Sequence, residues 1–442
     1  MQESAYAAQQ TASRSDVLVI GGGPGGATIA ALLAERGRDV VLIEKSRHPR
    51  FHIGESLLPL NMPLFERLGV ADEIRTIGMP KYGAEFVSPW HSAAVTFDFA
   101  NAVDKSFPFA YQVRRSEFDH ILFRNAAHKG AVAVEGCRAT NVEFNADGAA
   151  VAIRHEDGRN ENWQTRFVVD ASGRDTLLAT QFGIKRRNPV HNSAAIFGHF
   201  SGATRHSGKA EGNISLFWFD HGWFWFIPLY DGVTSIGAVC WPYYMKSRKT
   251  DPQTFFLETI ALCPALSERL RSAKLCSPVT ATGNYSYEVK RATGRNYLLL
   301  GDAFTFIDPV FSTGVLFAMQ SAFAGAETVA TCLDDPRQAK RALRAFDRSM
   351  HHGPKIFSWF IYRVTTPTLR DLFMGPGNAK IQEAVLSVLA GDIFRNTPLA
   401  LRLFAFKLVY YVRNLFNPRR TLSAWKKRRQ ILHEPPAEST AT

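Results

Sequence analysis

The chain has 442 residues, 46% of them hydrophobic and 21% charged, a balance that excludes wholesale disorder and suits two or three interleaved domains. Its 52 basic against 40 acidic residues leave a net charge of +12. Most of that excess lies near the C-terminus, so the rest of the surface is close to neutral and does not read as one that tracks nucleic-acid phosphates.

The first fourteen residues have no cationic start followed by an apolar stretch and read as a loose tail rather than a secretory signal. Asp16 to Ile20 is a β-branched run ending in Gly-Gly-Gly-Pro-Gly-Gly, and a segment of helical composition follows. Asp39 to Ile43 is a second strand, so a β-turn-α-β unit and a parallel α/β sheet are expected. Further strands at Arg166 to Val169 and Tyr297 to Leu300 each run straight into small residues, and ligands of parallel sheets sit at such strand ends. Between them, Tyr82 to Phe99, Ala194 to Phe200, Asn213 to Phe219, Trp223 to Leu229 and Thr234 to Val239 are aromatic, β-rich runs suited to an antiparallel second domain. From about Asp335 to Gln430 the composition is helical, and the last dozen residues read as a second tail. No apolar run is expected to reach the roughly 18 to 20 residues of a spanning helix. Five scattered cysteines with no Cys-x-x-Cys read as buried thiols of a reducing cytoplasm, and no metal site is expected.

Gly21, Gly23 and Gly26 form G-x-G-x-x-G between a strand and a helix. The first glycine permits the turn, the second lets a pyrophosphate approach, and the third lets the helix pack closely, with the anion on the helix N-terminus. Glu44, 18 residues past Gly26 at the end of the second strand, is placed to accept from ribose hydroxyls. Gly301-Asp302, ending a later strand, resembles the element that holds the ribityl chain in FAD-dependent oxidoreductases of the glutathione-reductase type. Both elements together favour FAD over NAD.

Four motifs then occur in one order: Gly54-Glu55-Ser56 in HIGESLLP, DASGR from Asp170 to Arg174, Trp223, Trp225, Ile227 and Pro228 in WFWFIP, and Phe306, Pro309, Ser312 and Gly314 in FIDPVFSTG. From about residue 15 to 330 the chain resembles the flavin-dependent halogenases, the last two motifs matching that family's W-x-W-x-I-P and F-x-x-P-x-S-x-G signatures. The resemblance implies reduced FAD delivered by a separate flavin reductase, a chloride or bromide co-substrate, and hypohalous acid passed to a lysine beside an aromatic substrate. Lys81, in MPKYGAEF, stands at that lysine. The resemblance also implies halide binding by Ser312, Thr313 and Gly314. It places FAD against Gly21, Gly23, Gly26, Glu44, Lys45, Ser56, Arg115, Asp302, Pro309 and Gly314, with Arg114 competing for the role of Arg115. It gives Trp223 and Trp225 the task of shielding the flavin, although their spacing is equally that of core aromatics on a strand.

Phe311 stands where tryptophan halogenases carry a glutamate that helps remove the ring proton. The resemblance therefore points to phenol or pyrrole substrates, as in carrier-protein-dependent pyrrolyl halogenases. A flavin hydroxylase or a geranylgeranyl-reductase-like oxidoreductase of the same fold is the alternative. Between Leu401 and Gln430 the chain carries Arg402, Lys407, Arg413, Arg419, Arg420, Lys426, Lys427, Arg428 and Arg429 and no acid. This segment suits an acidic acyl or peptidyl carrier protein, an anionic membrane surface, or a helix packed on the body with a solvated basic tail. The expected organisation is a glutathione-reductase-type FAD-binding domain in three parts (15–80, 111–190, 291–334), an antiparallel β substrate domain in two (81–110, 191–290) and a helical region (335–430). Tails at 1–14 and 431–442 and a cytoplasmic location complete the expectation.

Overall fold

The computed structural model describes residues 14–283, 286–392 and 399–433. The expected tails fall outside these residues, except that a strand already begins at Arg14 and the last helix runs to His433.

The N-terminal half of the fold is a sheet built around β1 (Arg14–Ile20), followed by α1 (Pro24–Ala34) and β2 (Val40–Glu44). After an excursion through β3 (Met79–Lys81), β4 (Gly83–Val87), β5 (Val95–Asp98) and β6 (Ala110–Gln112), the chain returns. It then continues through α2 (Arg115–His128), β7 (Val132–Glu135), β8 (Cys137–Phe144), β9 (Ala149–His155) and β10 (Asn160–Asp170). β10 pairs in parallel with β1, β1 with β2, and β2 with β7; β8 and β9 extend the start of β10 as an antiparallel flap. Every residue of β2 is buried, and the run is all apolar except its terminal acid, as a strand covered on both faces requires.

The second sheet carries β11 (Ala194–Ser201), β12 (Ile214–Phe219), β13 (Gly222–Pro228) and β14 (Val233–Cys240) in the order β11–β14–β13–β12–β4–β5. It is antiparallel as expected except at one seam, where β12 runs parallel to β4. The run Tyr82 to Phe99 is thus two strands, whose hairpin adds to the edge of a sheet formed a hundred residues later. β13 alternates: Trp223, Trp225 and Ile227 enter one core, and Phe224 and Phe226 enter another on the opposite face.

The chain re-enters the first sheet with β15 (Tyr297–Leu299), parallel to β10, and then becomes helical. α3 (Thr313–Asp334) packs against both α1 and α4 (Pro336–Ile361). It is the one helix among the described residues long and apolar enough to cross a membrane, contrary to the sequence expectation, but 56% of its most apolar window is buried in this packing. α5 (Pro367–Met374), α6 (Ala379–Leu389), α7 (Ala400–Phe416) and α8 (Pro418–His433) follow. Of the cysteines, Cys137, Cys240 and Cys263 are buried as expected, whereas Cys276 is exposed and Cys332 half-buried.

Candidate active site

β1, β2, β10 and β15 all end at one cavity of about 900 Å³, as strand ends of a parallel sheet should. At its inner end Gly21 has φ of +105°, and a Cβ there would lie 2.4 Å from the Ala171 carbonyl oxygen. A Cβ on Gly26 would lie 1.8 Å from the Gly21 oxygen, so α1 can seat on the turn only without a side chain. Gly23 faces open space, its nearest neighbour being Arg50 Nη2 at 3.6 Å from an added Cβ. No side chain caps α1, so the first-turn N–H groups have no side-chain acceptor on this side.

Glu44 ends β2 at the wall. Its Oε2 accepts from Gly22 N at 2.8 Å and its Oε1 from Ser46 N at 3.0 Å, which ties the second strand to the turn; Oε1 keeps a further lone pair. Arg50 reaches both Glu44 (3.4 Å) and Asp119 (3.0 Å). Lys45 sits on the rim, paired with Asp175 at 2.5 Å. Arg115 lines the cavity, its guanidinium held in a fork by Asp119 (2.8 and 3.1 Å) and by the Ile53 carbonyl (2.8 Å). Arg114 turns away to pair with Asp231 and is absent from the cavity wall, which separates the two neighbouring arginines. Burial and, against it, Arg115 and Arg50 act on Asp119, whose carboxyl ends below the usual range. Asp302, on the wall after β15, is pushed up to about 6 by burial, against the pull of Arg115 and Arg174.

At the outer end the wall is Trp223, Trp225, Phe306, Pro309, Ser312 and Gly314. The Trp223 and Trp225 rings are 6.2 Å apart, and Trp225 Nε1 donates to Ser235 Oγ at 3.2 Å. Asp308 shapes the turn before α3: its Oδ1 accepts from Val310 N at 3.1 Å, and its Oδ2 bonds Ser193 and His191 at 3.0 and 2.8 Å. Ser312 then takes a left-handed φ of +56° and α3 starts at Thr313, again with no side-chain cap. Ser312 and Gly314 reach the cavity; Thr313 lies between them without entering its wall. Phe311 points away, into the apolar core, with its ring edge-on to Phe360 at 6.4 Å.

Lys81 is 1% exposed and does not line the cavity. The pairing of β3 with β6 carries it behind the wall, where Nζ donates to Ser56 Oγ at 3.0 Å and to the Leu57 carbonyl at 2.5 Å. Its ammonium also sits 5.3 Å from the Phe99 ring. Both acceptors are neutral oxygens, and burial alone lowers the amine from 10.5 to about 7.

Reading the sequence missed two wall features. Arg50 precedes the GES motif but has no spacing signature of its own. Glu55 accepts from His199 Nε2 or donates to it at 2.9 Å, both side chains buried, while Glu55 Oε2 has no hydrogen-bond partner. Glu55 stood inside the motif; His199 lies 144 residues away on β11 and is reached only through the fold.

The turn whose Gly21 and Gly26 admit no side chain, the acid at the β2 terminus and a cavity of about 900 Å³ lined by both Gly21 and Asp302 fit FAD, and residues 14–349 match the FAD binding domain family. The protein is an FAD-binding flavoenzyme. A flavin-dependent halogenase of Penicillium aethiopicum, gsfI, is 36% identical over 370 residues, covering 77% of this chain and 69% of that one. A 1H-pyrrole-2-carbonyl-[peptidyl-carrier protein] chlorinase of Pseudomonas fluorescens is 28% identical over 403 residues, 86% of this chain and 89% of that one. The solved structure of the myxobacterial chondrochloren halogenase CndH superposes with a TM-score of 0.76 at 32% identity, covering 88% of this chain and 92% of that one. The chain belongs to the flavin-dependent halogenases, and it is an enzyme that uses FAD and halide.

Proposed function

We propose that this halogenase chlorinates or brominates an electron-rich ring, a phenol or a pyrrole, free or tethered to a carrier protein, and that Lys81 passes the oxidant to it. When bound, reduced FAD, delivered by a separate reductase, supplies the oxygen-activating chemistry from which halide gives hypohalous acid. Gly21, Gly23, Gly26, Glu44, Lys45, Arg115, Asp302 and Pro309 would hold the cofactor along the cavity they line, with Ser56 between it and Lys81. The backbone at Ser312, Thr313 and Gly314, at the positive end of a 22-residue helix, suits a halide. Trp223 and Trp225 would keep the ring substrate from the flavin.

The observation that carries this reading is Lys81 itself. A buried amine with two neutral acceptors and a value near 7 has a lone pair available at physiological pH, yet retains donors for an acidic oxidant. Phe311, buried with Phe360, leaves no carboxylate at the position where a proton would be drawn from a less reactive ring. The carrier-tethered alternative draws on the name of the Pseudomonas relative.

The test supplies reduced FAD, oxygen and chloride or bromide with a panel of phenols, pyrroles, carrier-bound pyrrolyl groups and tryptophan, and reads products by mass spectrometry. A halogen isotope pattern that vanishes in Lys81→Met, with flavin content and oxygen consumption retained, supports the assignment. Halogenation undiminished in that variant, or turnover restricted to tryptophan, overturns it.

A further inference from the structure

Among the described residues, the last two helices leave an apolar face uncovered. α7 buries Leu403, Phe406 and Tyr410 in the same core as Trp225, Phe311 and Phe360. On its opposite face Leu401, Phe404, Leu408 and Leu415 recur at helical spacing, exposed by 80%, 64%, 53% and 78%; Phe416 at the end of α7 and Leu422 and Trp425 on α8 are exposed as well. Single exposed apolar side chains are ordinary, but a continuous row along a 17-residue helix, about 25 Å at its rise per residue, is not.

The charge along this row has one sign. From Leu399 to His433 there is no Asp or Glu, and Arg413 near the end of α7 and Arg419 and Lys426 on α8 are exposed on the same two helices as the stripe. Three other basic residues of the segment are engaged with the rest of the chain: Arg402 pairs with Glu383, Arg420 with Asp371, and Lys407 lies over the Trp359 ring. The pattern is that of helices lying flat in a membrane interface, aliphatic and aromatic side chains toward the acyl chains and basic ones at headgroup level.

We propose that α7 and α8 dock this enzyme on an anionic lipid surface. A second copy of the chain fits the row less well, because a two-fold contact would set the basic margins of like helices against each other with no acid in the segment to offset them. A small acidic protein matches the charges, but it would have to supply an apolar surface as long as the stripe. Docking has a structural consequence: the core holding Trp225 and Phe311 then lies one helix diameter, about 10 Å, from the bilayer.

The experiment is flotation of the full chain with vesicles of phosphatidylcholine and phosphatidylglycerol, about 2:1, against phosphatidylcholine alone, at about 0.15 M salt. The mixed vesicles should carry at least about tenfold more protein. The double variant Leu408→Ser, Leu415→Ser should lose that binding with flavin content and thermal midpoint unchanged, and Arg413→Glu, Arg419→Glu should lose the preference for anionic lipid. The proposal is overturned by wild-type protein that stays at the bottom of the gradient, or by flotation that survives both double variants. It is equally overturned by a dimer, seen by light scattering, that the Leu408→Ser, Leu415→Ser change dissolves, or by capture of an acidic carrier protein without any vesicle binding.

Discussion

The Lys81 ammonium donates to the Ser56 hydroxyl across 3.0 Å, and through that bond the buried end of the strand Met79–Lys81 meets the wall of the cofactor cavity. The bond joins the Gly54-Glu55-Ser56 loop to the strand that opens the excursion toward the second sheet, 25 residues further along the chain.

The first prediction concerns stability. The folded amine sits near 7 and the unfolded one near 10.5. Between those values the unfolded chain binds the extra proton, so this group makes stability rise with pH from about 7 to about 10.5, and its full penalty is present below 7. The shift bounds that contribution at about 5 kcal/mol. Lys81→Met, which removes the titration but keeps the stem, should flatten the rise. The readout is the difference in thermal midpoint between the two proteins across that pH range, in which the other titrating groups cancel. A constant difference would mean that the lysine stays charged in the fold.

Activity provides a separate measurement of the same group. If the neutral amine takes the halogen, kcat for halogenation rises through pH 7 and levels above it, which is the expected outcome. Lys81→Arg cannot shed its proton and should bind flavin yet give less than about 1% of the product, a barrier increase of about 2.7 kcal/mol. A kcat that falls through pH 7, with Lys81→Arg retaining activity, would assign the work to the charged donor.

Much of this was legible in the sequence. The strand-turn-helix-strand around Gly21 to Glu44 is written in short-range signals, and the structure places it as expected. The alternation in WFWFIP correctly put both tryptophans on one face of a strand. What could not be read depends on pairings between distant segments. The parallel seam between β4 and β12, the choice of Arg115 over Arg114, and the His199 partner of Glu55 are set by tertiary contacts with no local pattern. The position of Lys81 behind Ser56 rather than in the open wall is of the same kind. Phe311 was noticed as a missing acid, but only the fold shows it turned into the core with Phe360.

The glycines of the turn can be told apart by experiment. An alanine at position 26 collides with the Gly21 carbonyl, so Gly26→Ala should destabilise the flavin-free protein itself by about 3 kcal/mol. Gly23 has an ordinary extended conformation, and its added methyl meets nothing nearer than Arg50 at 3.6 Å. Gly23→Ala should therefore leave the flavin-free midpoint within about 0.5 kcal/mol of wild type, yet weaken FAD at least about tenfold, or 1.4 kcal/mol. Flavin fluorescence titration together with apo-protein melts checks both. Equal FAD affinity in Gly23→Ala would remove that glycine from the cofactor site.

Gly237 gives a way to move Trp225 without deleting it. The two residues face each other across β13 and β14, and a Cβ at 237 would lie 2.1 Å from the indole ring. Only a bare backbone lets the ring lie flat there and donate to Ser235 at 3.2 Å. Gly237→Ala must therefore push the indole off this seat, at a cost of about 1 to 3 kcal/mol in stability. The Gly-rich turn, Arg115 and Asp302 are on other elements, so FAD should still bind. If Trp225 keeps oxidant and substrate in their separate places, oxygen consumption continues in this variant while halogenated product per oxygen consumed falls several-fold. The ratio of product by mass spectrometry to oxygen uptake measures it. A ratio equal to wild type, with the indole shown displaced by its changed fluorescence, would return the tryptophan to the role of a core aromatic.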